Sequence, residues 1–303
     1  MENRLLKVSA FPHIKAKDSV KTIMLDVIIA LLPAMLMGIR FYGIDAAIIY
    51  ASTIGAALLS ELLWNKVVKG EFVLEDFSGA VTAILISLIM PSYVAPWVPA
   101  VATVFVIIIL KQCFGGLGGN FINPAATAKV FIIASWTSQL IQPATDGLTS
   151  ASASAYTPSL KEIFLGYASG NIGEASILAL IIGGLYLLFR GRIDGKGTLA
   201  FLGSVALFSF VIGADGLFKG NVIDGLMVGN IFLVGIFMVN DFVTTPVTSV
   251  GKIIFGAGCG LLTVLFKVIG HNSDGAFYAI MLMNLFTPMI DSFTMPKAKK
   301  EAV

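Results

Sequence analysis

Apolar runs broken by brief polar punctuation fill almost the whole chain. Runs approaching the ~20 residues that a bilayer demands cover 22–41, 46–64, 80–90 continuing toward 93, 98–110, 125–140, 175–189, 198–211, 222–239, 253–269 and 276–290. The third and fourth are short and separated by Pro91, Pro96 and Pro99, so they also read as one bent element. The pattern predicts an all-α polytopic membrane protein of about ten transmembrane helices. It divides into a polar segment 1–21, a membrane domain 22–292 and a tail 293–303.

Two of the junctions between runs look alike. Gly118, Gly119, Asn120, Asn123 and Pro124 open the fifth run, and Asn240, Asp241, Thr244, Thr245 and Pro246 follow the eighth. Each sets amides or hydroxyls and a helix-breaking proline between apolar segments. Paired interruptions of this kind mark discontinuous helices in two related five-helix halves, whose unpaired backbone groups can hold an ion, substrate or cofactor. The same residues also suit an ordinary loop, with Asn as helix N-cap and Pro in the first turn.

Composition agrees with the pattern. Hydrophobic residues make up 57% of the 303 and charged residues 13%, against about 25% charged in soluble domains, and mean hydropathy is +0.90. The start of the chain lacks the short apolar core and small-residue cleavage site of a removable signal, so the first span is expected to be retained. Most Lys and Arg fall on the side of the termini if both are cytoplasmic: Lys66, Lys69, Lys111, Arg190, Arg192, Lys196 and Lys252. Arg40, Lys161, Lys219 and Lys267 fall outside, a bias that predicts an even number of spans. The longest connector, 142–173, is then extracytoplasmic, and loops of that size tend to carry function or disorder.

Chemistry-bearing residues are sparse. Asp26, Glu61, Lys129 and Asp241 are the charges within or near apolar spans, where charge is costly and points to function, although Asp26 and Glu61 stand close enough to span ends to pair or snorkel. The run from Gly115 to Asn120 lacks the preceding strand and the Lys-Ser/Thr ending of a phosphate loop; it suits a tight turn, close helix packing or the approach of a flat ring. His13 and His271 form no cluster, so hydrolysis is not indicated. Cys113 and Cys259 lie far apart, with no spacing that suggests a disulfide framework or a metal site, and read as buried small hydrophobes.

The outer loop contains Asp146-Gly-Leu-Thr-Ser-Ala-Ser152, which resembles the flavinylation motif Asp-x-x-Ser/Thr-Gly/Ser-Ala-Thr. Other runs point the same way: Ser9-Ala-Phe-Pro-His-Ile-Lys15, Glu75-Asp-Phe-Ser-Gly-Ala-Val-Thr82, Phe114-Gly-Gly-Leu-Gly-Gly-Asn-Phe-Ile-Asn-Pro-Ala125, Phe237-Met-Val-Asn-Asp-Phe-Val-Thr-Thr-Pro246 and Tyr278-Ala-Ile-Met-Leu-Met-Asn-Leu-Phe-Thr-Pro-Met-Ile-Asp291. Taken in order, they resemble the family of Rnf D subunits and of the B subunits of sodium-pumping NADH:quinone reductases, over residues 8–292.

The resemblance implies a multi-pass subunit of the cell (inner) membrane within a complex that couples electron transfer between reduced ferredoxin and NAD to Na+ or H+ movement. It further implies FMN attached covalently through a phosphoester, installed by a flavin transferase, and leaves room for a second, non-covalent flavin, riboflavin or FMN, among the helices. The implied partners are Rnf subunits A, B, C, E and G and the lipid bilayer; no nucleic acid is implied, and activity belongs to the assembled complex. Within the motif, Asp146, Gly147, Thr149, Ser150 and Ala151 lead to Ser152 as the attachment hydroxyl where the family has Thr, and Thr157, followed by Pro158, is the alternative. Apart from this motif, the features suit equally well a channel or secondary transporter for a small solute.

Overall fold

A computed structural model describes residues 19–70, 76–141, 160–166, 170–213, 216–227, 230–270 and 274–296. Ser19 caps the first helix, α1 (Val20–Tyr42), by accepting a hydrogen bond from Thr22 N at 3.3 Å. Gly43, at φ 62°, turns the chain directly into α2 (Ile44–Lys69), since a residue without a side chain takes that conformation at no steric cost. There follow α3 (Ser78–Leu88), α4 (Trp97–Phe105) running into a π-helical segment (Val106–Gln112), α5 (Pro124–Ser135), α6 (Thr137–Leu140) and α7 (Leu160–Leu165). A 3-10 turn (Ile172–Ala175) leads to α8 (Ile177–Phe189), α9 (Lys196–Val211) and a two-residue hairpin, β1 (Ile212–Gly213) with β2 (Gly216–Leu217). The last elements are α10 (Val222–Met227), α11 (Ile231–Leu233) running into a second π-helical segment (Val234–Met238), α12 (Ser249–Val268) and α13 (Gly275–Thr294).

Four helices, α1, α2, α12 and α13, are long and apolar enough to cross a membrane, and five shorter apolar ones span 78–88, 97–112, 124–135, 177–189 and 196–211. The protein is thus helical and built for a bilayer. Two expected runs are divided. The run 222–239 is met as the short helices α10 and α11 with their π-helical continuation, and 125–140 breaks at Trp136 (φ −137°, ψ 48°) between α5 and α6. Cys259 is buried as expected, whereas Cys113, at the end of the first π-helical segment, is exposed.

Helices meet where side chains are small. A Cβ on Gly183 of α8 would collide with the Ala30 carbonyl of α1, and one on Gly256 of α12 with the Gly197 carbonyl of α9, the backbone approach that small residues permit in membranes. Accordingly α1 packs along α8, α9 along α12, and α12 along α13. Asp26, near the start of α1, receives Arg192 Nε at 2.7 Å, Arg190 Nη2 at 3.1 Å and the Tyr186 hydroxyl at 3.0 Å from the far end of α8. The two helices therefore run antiparallel. At that same end Lys252 pairs with Asp194 at 3.3 Å and Lys196 donates to Ser249 Oγ at 2.8 Å.

Candidate functional site

Each of the two sequence breaks follows a π-helical segment, a geometry in which a helix departs from its regular ladder and which recurs at functional sites. At the first break Gly118 holds φ 100°, and a Cβ on Gly119 would strike the Phe114 carbonyl, so the glycines are what let the chain turn back on itself here. Asn123 then caps α5: its Oδ1 accepts from Ala125 N at 3.0 Å and Ala126 N at 3.1 Å, with Pro124 in the first turn. The capping role expected for Asn123 and Pro124 is the one observed, and it coexists with the break.

The second break is held by its own side chains. Asn240 Nδ2 donates to Thr198 Oγ1 at 2.6 Å, to the Ile236 carbonyl at 2.9 Å and to the Gly235 carbonyl at 3.3 Å, meeting carbonyls in the π-helical segment. Thr244 Oγ1 donates to Asp241 Oδ2 at 2.7 Å and Thr245 Oγ1 to the Asp241 carbonyl at 2.6 Å. Thr248 then caps α12 by accepting from Gly251 N at 3.0 Å, two residues past Pro246.

One buried side chain joins the breaks. Asn284 of α13, 1% exposed, accepts from Asn123 N at 2.9 Å and donates to the Thr244 carbonyl at 3.0 Å. Thr287, one turn on, gives a second hydrogen bond to that carbonyl at 3.0 Å. A narrow cleft lies between the breaks and is lined by Asn120, Asn123, Pro124, Asn240 and Asp241 together with Lys111. Asn120 is 8% exposed and its Oδ1 has no hydrogen-bond partner. A buried polar atom left without a partner costs roughly 1–3 kcal/mol, so this acceptor on a cleft wall can be met by a donor from water or from a bound molecule.

Beside the cleft lies a knot of charge. Lys111 Nζ, on a side chain 3% exposed, donates to Glu61 Oε1 at 2.5 Å and to Ser78 Oγ, with Asp76 Oδ1 at 3.8 Å. Asp76 in turn accepts from Ser78 N at 3.0 Å and from Ser78 Oγ at 2.5 Å. A Cβ on Gly79 would collide with the Glu61 carboxylate, so glycine at that position is what admits it. Glu61 thus pairs across helices rather than snorkelling.

The remaining intramembrane charges are dispersed. Lys129 of α5 is 2% exposed and donates to the Ile89 carbonyl at 3.0 Å, with Asn171 Oδ1 and Asp274 Oδ1 each at 3.5 Å. Asp26 joins α1 to α8 as described and lies outside the cleft lining. Lys111 and Asn284 were missed as site residues in the sequence. Each had a signal, a cation at the end of an apolar run and an amide inside one. The flavinylation motif, with Asp146, Gly147, Thr149, Ser150, Ala151, Ser152 and Thr157, lies outside the described residues. Among the described residues no group of His, Cys, Asp and Glu could hold a metal ion.

Comparison with known proteins extends over almost the whole chain. Residues 7–300 match the model of the NQR2, RnfD, RnfE family. The D subunit of the Na+-translocating ferredoxin:NAD+ oxidoreductase complex of Acetobacterium woodii is 38% identical, over 98% of this chain and 98% of that protein. The D subunit of the proton-translocating ferredoxin:NAD+ oxidoreductase complex of Clostridium ljungdahlii is 33% identical, over 98% and 96%. The D subunit of the ion-translocating oxidoreductase complex of Methanosarcina acetivorans is 29% identical, over 96% of each.

Proposed function

The chain belongs to the NQR2, RnfD, RnfE family, and from that premise we propose that it is the membrane flavoprotein subunit of an Rnf-type complex. In this reading the complex passes electrons between reduced ferredoxin and NAD and couples them to translocation of Na+ or H+. The observation that carries the reading is the near full-length likeness to proteins named as D subunits of such complexes. The subunit acts within the assembled complex, beside subunits A, B, C, E and G. In this reading the ferredoxin and NAD sites lie on those partners.

Both termini are cytoplasmic and the 142–173 loop is outside. Supporting this, the contacts of Asp26, Lys252 and Lys196 collect Arg190, Arg192, Lys196 and Lys252 at one end of the bundle, as the positive-inside rule asks of the cytoplasmic face. That end is the inner one.

FMN is carried by a phosphoester on Ser152, or on Thr157, after maturation by a flavin transferase. A tether holds a redox ring at high effective concentration beside its partner. In this reading a second, non-covalent flavin binds at the cleft between the breaks. The pyrimidine edge of an isoalloxazine offers an N–H donor flanked by carbonyls, and the Asn120 amide, with its orphaned Oδ1, complements that edge. Asn123 and Asn240 hold the breaks open on either side, and the flavin supplies the electron chemistry while the protein supplies position and field.

Mass spectrometry of the loop peptide from native membranes tests the reading directly. The peptide should carry the mass of FMN, and Ser152→Ala should abolish in-gel flavin fluorescence of this subunit while Thr157→Ala leaves it. The reverse result moves the ester to Thr157. A fully unmodified peptide from cells with an active transferase would exclude the covalent FMN and, if the purified subunit also held no released flavin, leave the solute-transporter alternative.

A further inference from the structure

The packing repeats itself with the chain direction reversed. α1 lies on α8 and α5 on α13; α2 packs against α3 and α4 as α9 packs against α10 and α12; and α4 meets α5 as α12 meets α13. Exchanging α1 to α5 for α8, α9, α10–α11, α12 and α13 preserves these contacts, and the antiparallel course of α1 and α8 makes the exchange an inversion across the membrane. Transporters built from such halves present related surfaces to the two sides.

Particular residues follow the same exchange. Lys111 lies in the last turn of the π-helical end of α4 and Lys267 in the last turn of α12. Lys111 reaches Ser78, at the start of α3; Lys267 reaches the Asp224 carbonyl, in the first turn of α10, at 3.0 Å. Gly79, beside Ser78, admits the Glu61 side chain of α2, and Gly225, beside Asp224, admits the Ser209 side chain of α9. Glu61, Ser78, Gly79 and Lys111 therefore correspond to Ser209, Asp224, Gly225 and Lys267. In this exchange 120–124 and 240–246 are not counterparts of each other.

Each set borders its own opening. Glu61, Asp76 and Lys111 line an inner cleft of about 1,090 Å³, counted to its mouth. Ser209, Lys219, Asp224 and Lys267 line an outer one of about 630 Å³. Among the described residues, the inner lining carries two carboxylates and one ammonium, and the outer lining one carboxylate and two ammoniums. Counted over their own lining side chains, the two clefts have opposite sign. A carboxylate at the inner position, Glu61, is replaced by a hydroxyl, Ser209, at the outer one.

We propose that the outer cleft at Ser209, Lys219, Asp224 and Lys267 is a release site for the translocated monovalent cation, Na+ or H+, and the charge-inverted counterpart of the inner cleft. The proposal rests on the ion-translocating reading above and adds a location and a direction to it. A cation gains Coulomb energy at the net negative inner lining and loses it at the net positive outer lining, so inward return from the outside is disfavoured. The inner and outer clefts need share no open channel at any moment, since alternating exposure of the two halves is enough.

The test uses the whole complex in inverted membrane vesicles, whose lumen faces the outer clefts. The rate of ferredoxin-dependent NAD reduction is followed as lumenal NaCl is raised against choline chloride and, separately, as lumenal pH is lowered. Each variant's inhibition is referred to its own rate without lumenal cation. Lys219 is exposed, and Lys219→Glu turns the outer lining net negative, so the half-inhibiting lumenal cation concentration should fall about tenfold, with Lys219→Gln between that and the native protein. A shift in the Na+ series identifies Na+ as the cation and a shift in the pH series identifies H+. An unchanged half-inhibiting concentration in both series for Lys219→Glu overturns the release site and leaves the flavin reading intact. An unmodified loop peptide removes the covalent-flavin reading and leaves the comparison of half-inhibiting concentrations standing.

Discussion

The two breaks in the helices are both polar, both follow a π-helical segment, and yet they are satisfied in opposite ways. At the second, Asn240 makes three hydrogen bonds and Asp241 receives two threonine hydroxyls, so its polar side chains are engaged within the protein. At the first, Asn123 is consumed by its cap while the Asn120 oxygen, three residues earlier, is buried and unpartnered. Irregular backbone at membrane depth has to be satisfied by something. The second break is satisfied by its own side chains together with Thr198, Asn284 and Thr287; the first keeps one unpartnered acceptor, the Asn120 oxygen.

The comparison can be broken most forcefully at the residue that joins the two segments. Asn284→Ala strands the Asn123 N–H, takes one of two donors from the Thr244 carbonyl and opens a small void. Losses of that kind cost about 3 kcal/mol. The purified subunit or complex should show the largest drop in thermal midpoint of the three variants considered, read by the decay of the size-exclusion peak after heating. A midpoint within a degree or so of the native protein would mean that the breaks do not depend on each other.

Asn240→Ala probes the second break alone. It removes a donor from two carbonyls and from Thr198, but Thr198 still donates to the Gly235 carbonyl at 2.9 Å, so the expected cost is smaller, about 2 kcal/mol. Non-covalent flavin should fall only in proportion to the folded fraction. A loss of flavin from a fully folded Asn240→Ala protein would place ligand contact on this break too.

How much of this could be read from the chain depends on how local the cause is. α1, α2, α12 and α13 are visible because each is a long uninterrupted apolar run, and the breaks are visible because Asn before Pro and Thr before Pro act within a few residues. The division of 222–239 was hidden, since Asp224, Gly225, Gly229 and Asn230 are brief punctuation in a largely apolar stretch and α10 takes a carbonyl contact from Lys267, 43 residues away. Lys111 reads locally as an anchor at a membrane interface. Its burial depends on Glu61, 50 residues earlier, and on Gly79 making room. The Asn284 clamp spans 161 residues, and nothing local announces it. Local chemistry thus located the site, and distant partners determined which of its residues are structural.

The smallest effect on stability should come from Asn120, where the comparison is sharpest. Asn120→Ala deletes a buried polar atom that has no partner to lose, so the thermal midpoint should stay within the equivalent of about 0.5 kcal/mol. If the Asn120 amide meets a flavin edge, one hydrogen bond made only in the bound state disappears, which weakens retention about tenfold. Flavin released by denaturation and counted by fluorescence, after removal of the covalently bound fraction, should therefore fall steeply while the protein remains folded. Stability and cofactor content would then move independently at Asn120 and together at Asn240. If Asn120→Ala instead destabilised the protein as much as Asn240→Ala and kept its flavin, the orphaned oxygen would be a structural feature and the cleft would need a different occupant.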